Sequence, residues 1–163
     1  MLIREAKSRD LPAILVIMNE AILRTTSMYS YEAHTRETLR HWFMKKQVDK
    51  MPVFVCEINA KTVAYSSFDV FRACDAYKFS IENAIYVHQD FRGQGIGKKL
   101  LNTLIDRAVQ DGYHTMIASI DASNEGSYHL HRQLGFREVG RFREVGYKFG
   151  KWLELIFMQR MLV

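Results

Sequence analysis

The chain has 163 residues, with 23 lysines and arginines against 18 aspartates and glutamates for a formal net charge of +5, and 48% of it is hydrophobic. A chain near this length buries roughly 70% of the surface it exposes when unfolded, so residues 1–163 are predicted to form one soluble globular domain that needs no disulfide or metal staple. The longest apolar runs, such as Ile14 to Met18, fall far short of the about 20 residues that span a bilayer, which excludes a helical membrane protein. Cys56 and Cys74 lie outside any C-x-x-C pair, and charge appears at Arg4 and Glu5 with no leader-like stretch, so a reducing, cytoplasmic setting is expected. The positive excess suits nucleic acid, an anionic surface or a phosphorylated small molecule, and charge alone does not choose among them.

Met1 to Ala6 reads as a short strand, after which Ser8 or Asp10 can cap a helix with Pro12 in its first turn. Leu11, Ile14, Leu15, Met18 and Ile22 recur at helical spacing and give that helix one core face. Thr25 to His34 is a polar and aromatic connection, either a binding lid or an ordinary surface loop. A second helix, Thr35 to about Val48, places Leu39, Trp42 and Phe43 on one side and leaves Lys45-Lys46 as a solvated face. Val53 to Ile58, the turn Asn59-Ala60-Lys61 and Thr62 to Phe71 read as a β-hairpin, followed by a strand from Phe79 to Val87. A strongly periodic helix carries Ile96, Leu100, Leu101, Leu104, Ile105, Ala108 and Val109 and ends near Asp111-Gly112. Then come a strand from Thr115 to Ile120, a helix from about Asn124 to Gln133, and strands Arg137 to Tyr147 and Lys151 to Met161. The order β-α-α-β-β-β-α-β-α-β-β predicts an α+β fold with a mixed, mostly antiparallel sheet flanked by helices, not a doubly wound nucleotide fold.

The most informative segment joins a strand to a helix through Arg92-Gly93-Gln94-Gly95-Ile96-Gly97-Lys98. Glycines at alternate positions let backbone N–H groups approach a ligand with no Cβ in the way. The helix that follows adds unpaired N–H groups and a partial positive charge, so the turn is read as a pyrophosphate cradle reinforced by Arg92 and Lys98. It is not a P-loop, because Gly93 and Gly97 enclose three residues and Lys98 is followed by Lys99. It is not a dinucleotide fingerprint either, being G-x-G-x-G after an antiparallel meander.

Arg92, Gly95 and Gly97 do satisfy an R/Q-x-x-G-x-G/A pattern, and here the chain resembles the GNAT family of N-acetyltransferases over essentially its whole length. It is most similar to the branch containing phosphinothricin and methionine sulfoximine acetyltransferases. The matches are Ile3-Arg4, Tyr65-x-Ser67-Phe68, Glu82-x-x-Ile85-Tyr86-Val87, Leu130-His131-x-x-Leu134-Gly135-Phe136 and, most specific to the branch, Val145-Gly146-x-Lys148-Phe149-Gly150-x-Trp152. The resemblance implies acetyl-CoA as acetyl donor. It places pantetheine along Ile85, Tyr86 and Val87, where the strand splays from its neighbour, and the pyrophosphate on Gly93 to Lys98. Asn124 would reach the pantetheine arm from the next helix, and it also suits an N-cap with Ser127 in the first turn. A homodimer is implied as well, with the pocket near the subunit interface.

Acetyl transfer to an amine requires a neutral nitrogen, a polarised thioester carbonyl and a protonated leaving thiolate. Glu82, five residues before Val87, is the candidate base if burial raises its pKa; the bland reading is a strand glutamate facing solvent. A backbone N–H near the end of the Ile85 to Val87 strand is the expected polariser. His131 stands where many family members carry a tyrosine, and is either a general acid or relay, or a packed histidine that touches the cofactor. Arg72 is the candidate partner for an acidic group on the acceptor, with Asp75, Ala76, Tyr77 and Lys78 completing that wall beside Glu82. Cys74 stands where the phosphinothricin enzymes lead one to expect a second basic residue, which favours a methionine-sulfoximine-like or other small amino acid. Cys56 and Cys74 are read as structural, and no histidine spacing suggests a metal. The competing readings are acetylation of protein N-termini or ribosomal proteins, and a CoA-binding module without catalysis. Nucleic-acid binding is disfavoured because the cations are dispersed.

Overall fold

The computed structural model describes all of residues 1–163. Its elements are β1 (Leu2–Glu5), α1 (Leu11–Arg24), α2 (Arg36–Val48), β2 (Val53–Ile58), β3 (Lys61–Val70), β4 (Ser80–Val87), α3 (Ile96–Gln110), β5 (Thr115–Asp121), α4 (Glu125–Gln133), β6 (Arg137–Lys148) and β7 (Lys151–Met161). Every predicted helix and strand is present in the predicted order, with bounds moved by a residue or two. The strands form one seven-stranded sheet in the order β1-β2-β3-β4-β5-β7-β6. Every neighbouring pair is antiparallel except β4 and β5.

Alternation along β2 explains the layering. Val53 and Val55 face α1 and α2, where they pack with Ile14, Ile17, Met18, Ile22, Leu39, Phe43 and Tyr65. Phe54 and Cys56 face the other way, into a larger cluster built on α3. Ile96, Leu100, Leu101, Leu104, Ile105 and Ala108 are the buried stripe of α3, three to four residues apart as one helix face requires. Truncating any of its fully buried leucines to alanine removes about 2–5 kcal/mol. The Asn59-Ala60 turn holds both residues at positive φ, 49° and 60°, as the twist of a tight hairpin demands.

Two local expectations are corrected. Asp10 makes no side-chain cap on α1; its carboxylate is 3% exposed and accepts from Arg4 at 2.8 Å, the Lys7 amide at 2.7 Å and the Thr62 hydroxyl at 2.7 Å. Lys46 is not on a solvated face but buried, its ammonium 2.9 Å from the Phe68 carbonyl and 2.5 Å from Asp69. The cause is helical phase, since Lys46 lies three residues beyond Phe43 and seven beyond Leu39, on the buried side of α2.

Candidate active site

The parallel contact of β4 with β5 is short. Ser80, Ile81 and Glu82 pair with Thr115, Met116 and Ile117, and no further pair forms although β4 runs on to Val87 and β5 to Asp121. The strands splay into a slot, and Asn83–Val87 and Ala118–Asp121 become opposite walls of a cleft of about 1000 Å³. The glycine turn closes its far end. Gly93 and Gly95 both adopt φ 75°, which a side chain disfavours, and an added Cβ at either would meet nothing within 4 Å, so the space above the turn is open. At Gly97 a Cβ would stand 3.2 Å from Leu130 Cδ2, so glycine lets α3 approach α4. Ile96 buries its side chain and offers the cleft its backbone, Lys98 lines the cleft, and Gln94 does not. Arg92 lines it too, but its guanidinium is already engaged, donating to the Val87 carbonyl and to Glu20 at 3.1 Å each. Arg92 therefore anchors the turn to α1. The free N–H groups of the α3 N-terminus and Lys98 remain as donors for a phosphate, and the unpaired β4 edge fits an amide-bearing arm such as pantetheine. From Glu82 to Val87 that edge runs about 17 Å.

Glu82 occupies the last paired position before the slot opens. It is not buried as expected: its side chain is 30% exposed and lies 4.0 Å from Arg72. Its charge is felt by Tyr86, two positions along the same face, whose hydroxyl is pushed well above the ordinary tyrosine range by burial and then by Glu82. Asn83 points to the opposite face, as adjacent strand residues must. Its Nδ2 donates to the Ile117 carbonyl at 3.2 Å, at the last rung before the strands part. Its Oδ1 lies 3.1 Å from His131 Nε2. His131 is 4% exposed and still borders the cleft. Its Nδ1 is 2.8 Å from the Ser127 carbonyl, so Nδ1 carries a proton and donates it. Burial lowers the pKa of the ring below the usual histidine value, against the opposing effect of Ser127. A neutral ring satisfies one of its two acceptor neighbours; the Asn83 bond forms when the ring gains a second proton or the amide turns over. Sequence reasoning passed over Asn83, although a polar residue in the row Ile81, Asn83, Ile85, Val87 signals a buried group that needs partners.

The sequence model of the acetyltransferase (GNAT) family matches residues 16–136. The chain belongs to that family. It is 40% identical over 162 residues to the L-amino acid N-acyltransferase MnaT of Escherichia coli, covering 99% of this chain and 94% of that protein. It is 38% identical over 162 residues to an L-methionine sulfoximine/L-methionine sulfone acetyltransferase of Salmonella typhimurium, covering 99% and 95%. Among solved structures, an N-acetyltransferase from Staphylococcus aureus superposes with a TM-score of 0.99 at 44% identity, covering 99% of this chain and 98% of that one. An acetyltransferase from Salmonella typhimurium, solved with its cofactor acetyl-CoA, gives 0.98 at 38% identity, covering 100% and 94%.

In this GNAT chain the candidate acceptor wall is gathered around one aromatic ring. Arg72 stacks on Phe71 at 4.1 Å, and Tyr77, in the short 3₁₀ turn Asp75–Tyr77, meets Phe71 edge-on at 5.8 Å. Lys78 leans over Phe79, and Asp75 and Ala76 are exposed. The wall opens beside Glu82, away from the glycine turn. Asn124 accepts from the Ser127 amide at 3.1 Å as the α4 cap and also lines the cleft. Both cysteines are free; Cys56 is packed in the core, whereas Cys74 is exposed and supports no packing. No group of three or more histidines, cysteines or carboxylates lies together as a metal site, and no helix is long and apolar enough to cross a membrane.

Proposed function

We propose that this N-acetyltransferase moves the acetyl group of acetyl-CoA to the α-amine of a small amino acid or its sulfone, sulfoximine or phosphinic analogue, by direct attack within a ternary complex. The observation that carries the reading is the slot between β4 and β5, with Glu82 at its head and the glycine turn at its foot. Acetyl-CoA supplies the activated thioester. The Glu82 carboxylate takes the proton of the attacking amine, and Arg72, 4.0 Å away, receives the acceptor's acidic group. Unpaired backbone N–H groups near the end of Ile85 to Val87 polarise the thioester oxygen. His131 acts from the other face: when its ring is doubly protonated, Nε2 delivers a proton to the leaving thiolate, and because burial lowers its pKa that acid is strong but sparsely populated near neutral pH.

The relatives named as an L-amino acid N-acyltransferase and as an L-methionine sulfoximine/L-methionine sulfone acetyltransferase support this acceptor class, and Cys74, two residues from Arg72, favours sulfone or sulfoximine over phosphinothricin. A peptide N-terminus is the second reading, favoured by the exposure of Arg72, Tyr77 and Lys78, which leaves the wall open. We further propose that residues 1–163 work as one domain in the cytoplasm and as a homodimer. The second copy covers the apolar outer face of β6 and β7, where Phe142, Val145, Tyr147 and Trp152 are about half exposed. A thiol-release assay with acetyl-CoA over amino acids, their analogues and short peptides tests the acceptor. Turnover restricted to small amino acids supports the first reading, and turnover restricted to peptides the second. CoA binding without turnover on any amine sinks both.

A further inference from the structure

The segment Val145-Gly146-x-Lys148-Phe149-Gly150-x-Trp152 has no part in the chemistry above, yet it holds a buried cation. Lys148 is 4% exposed. Its ammonium donates to the carbonyls of Ile22 at 2.5 Å, Thr25 at 2.8 Å and Met28 at 2.6 Å, which engages all three of its N–H bonds. Desolvation pushes its pKa below the usual lysine value, with no acidic neighbour to oppose it. A buried charge without a counter-ion is costly to keep, so the carbonyls it gathers must be held for a reason.

Those carbonyls define the reason. Ile22 and Thr25 lie at the C-terminal end of α1, where the last carbonyls lack helical partners and carry the negative end of the helix dipole. That end faces the cleft, whose wall includes Arg24, Thr25, Thr26 and Ser27. The Tyr29 hydroxyl donates to Asp121 at 2.8 Å. Its ring lies against Gly146, where an added Cβ would stand 2.7 Å from Tyr29 Cε2. The Tyr31 hydroxyl donates to the Tyr147 carbonyl. Strand β6 reaches this position through a bulge: its register against β7 shifts between Phe142 and Gly146, with Glu144 at φ 48°, and Lys148 then turns inward at the end of a mostly exposed strand. The Thr25–His34 segment is thus fastened to β5 and β6, not left as a free lid.

We propose that Lys148, with Gly146 and Tyr29, is a positioning clamp that caps α1 and sets the Thr25–Ser27 wall of the cleft for acetyl-CoA, neutralising a helix end that would otherwise repel a polyanion. The inference rests on reading the cleft as the acetyl-CoA site. Lys148→Met removes the cation at similar length, and Gly146→Ala displaces the Tyr29 ring while leaving Lys148 in place. Three readouts apply to each: tryptic cleavage after Arg24 in the apo protein, CoA affinity by calorimetry, and kcat and KM for acetyl-CoA, with the circular-dichroism melt as control for folding. Both variants are expected to be cut after Arg24 about tenfold faster and to bind CoA about tenfold more weakly, with KM for acetyl-CoA raised to match and kcat at saturation within about twofold. Wild-type protection at Arg24 together with wild-type CoA affinity in the variants overturns the clamp. If Lys148→Met does not fold, Gly146→Ala and Tyr29→Phe decide by the same readouts. Wild-type protein that fails to bind CoA refutes the cleft reading instead, and the tryptic comparison still decides whether the clamp exists.

Discussion

Asn83 sits where the sheet divides, and replacing it with aspartate turns the geometry of His131 into a measurable pKa shift. In the native chain burial holds the imidazole pKa below its usual 6.5. A carboxylate at the Asn83 oxygen position would stand 3.1 Å from Nε2 and accept from a doubly protonated ring. An opposite charge at that separation raises a pKa by about one to three units, or roughly 1.4–4 kcal/mol in favour of the imidazolium. Long-range ¹H–¹⁵N NMR of the histidine ring nitrogens, titrated from pH 4 to 9, reads the shift directly. Stability offers an independent check. The native His131 pKa is depressed, so its contribution is present above the unfolded value of 6.5 and is lost as pH falls through the folded pKa. In Asn83→Asp the folded pKa moves upward; once it stands above 6.5 the contribution is present below 6.5 and is lost as pH rises through the new value. The His131 contribution to unfolding free energy, taken against a His131→Gln background, should therefore rise less with pH in Asn83→Asp than in the native protein, and should fall with pH once the folded pKa passes 6.5. An imidazole that titrates at the same pH in both proteins would refute the assigned bond and with it the Asn83 link between slot and histidine.

Glu82→Gln should lower kcat by about a hundredfold or more while leaving CoA affinity by calorimetry unchanged; an unaltered kcat at neutral pH would remove Glu82 as the base. Gly95→Ala forces a side chain onto a backbone at φ 75°, costing about 1–2 kcal/mol in denaturant unfolding and weakening CoA binding; no change in either measurement would deny the turn its strain and its ligand. At Asp10 burial works to raise the pKa, but Arg4, the Lys7 amide and Thr62 prevail and draw it from 3.8 to about 2. The carboxylate therefore contributes about 2 kcal/mol above pH 3.8 that fades as pH falls through 2, and the stability deficit of Asp10→Asn should shrink over that window rather than stay constant. The Tyr65 hydroxyl is buried with no hydrogen-bond partner, so Tyr65→Phe should raise unfolding free energy by about 1 kcal/mol; a lower melting temperature would argue for a concealed partner.

The order of elements was readable because helix periods, the Asn59-Ala60 turn and the glycine run are local signals. The cradle was readable for the same reason, since spacing alone sets backbone freedom at Gly93 and Gly95. The point at which β4 leaves β5 was not readable from local pattern and came only through the family resemblance, because it depends on register between strands that lie some thirty residues apart in sequence. Arg92 looked like a free cation until α1 brought Glu20 to it, and Lys148, just past the predicted strand Arg137 to Tyr147, gave no local sign that the bulge at Glu144 would turn it inward. Lys46 did carry a signal in its phase with Leu39 and Phe43, which the adjacent Lys45 obscured. Charged and polar residues whose partners come from distant segments are thus where local reading failed.

The short seam between β4 and β5 also divides the molecule mechanically. On the α3 side one apolar cluster crosses it, joining Phe54 and Phe68 of the first half-sheet to Met116, Ile120 and Met158 of the second. On the α1 side the apolar cluster stops short, drawing its sheet residues from β2 and β3. Crossing there falls to the edge-on pair Phe71–Phe157 and to polar fastenings such as Tyr29 to Asp121 and Lys148 to the end of α1. The seam is therefore fastened unequally: it is glued along its back by dispersion and burial, and held along its front, the face where Glu82 waits, by one aromatic pair and a few directional bonds.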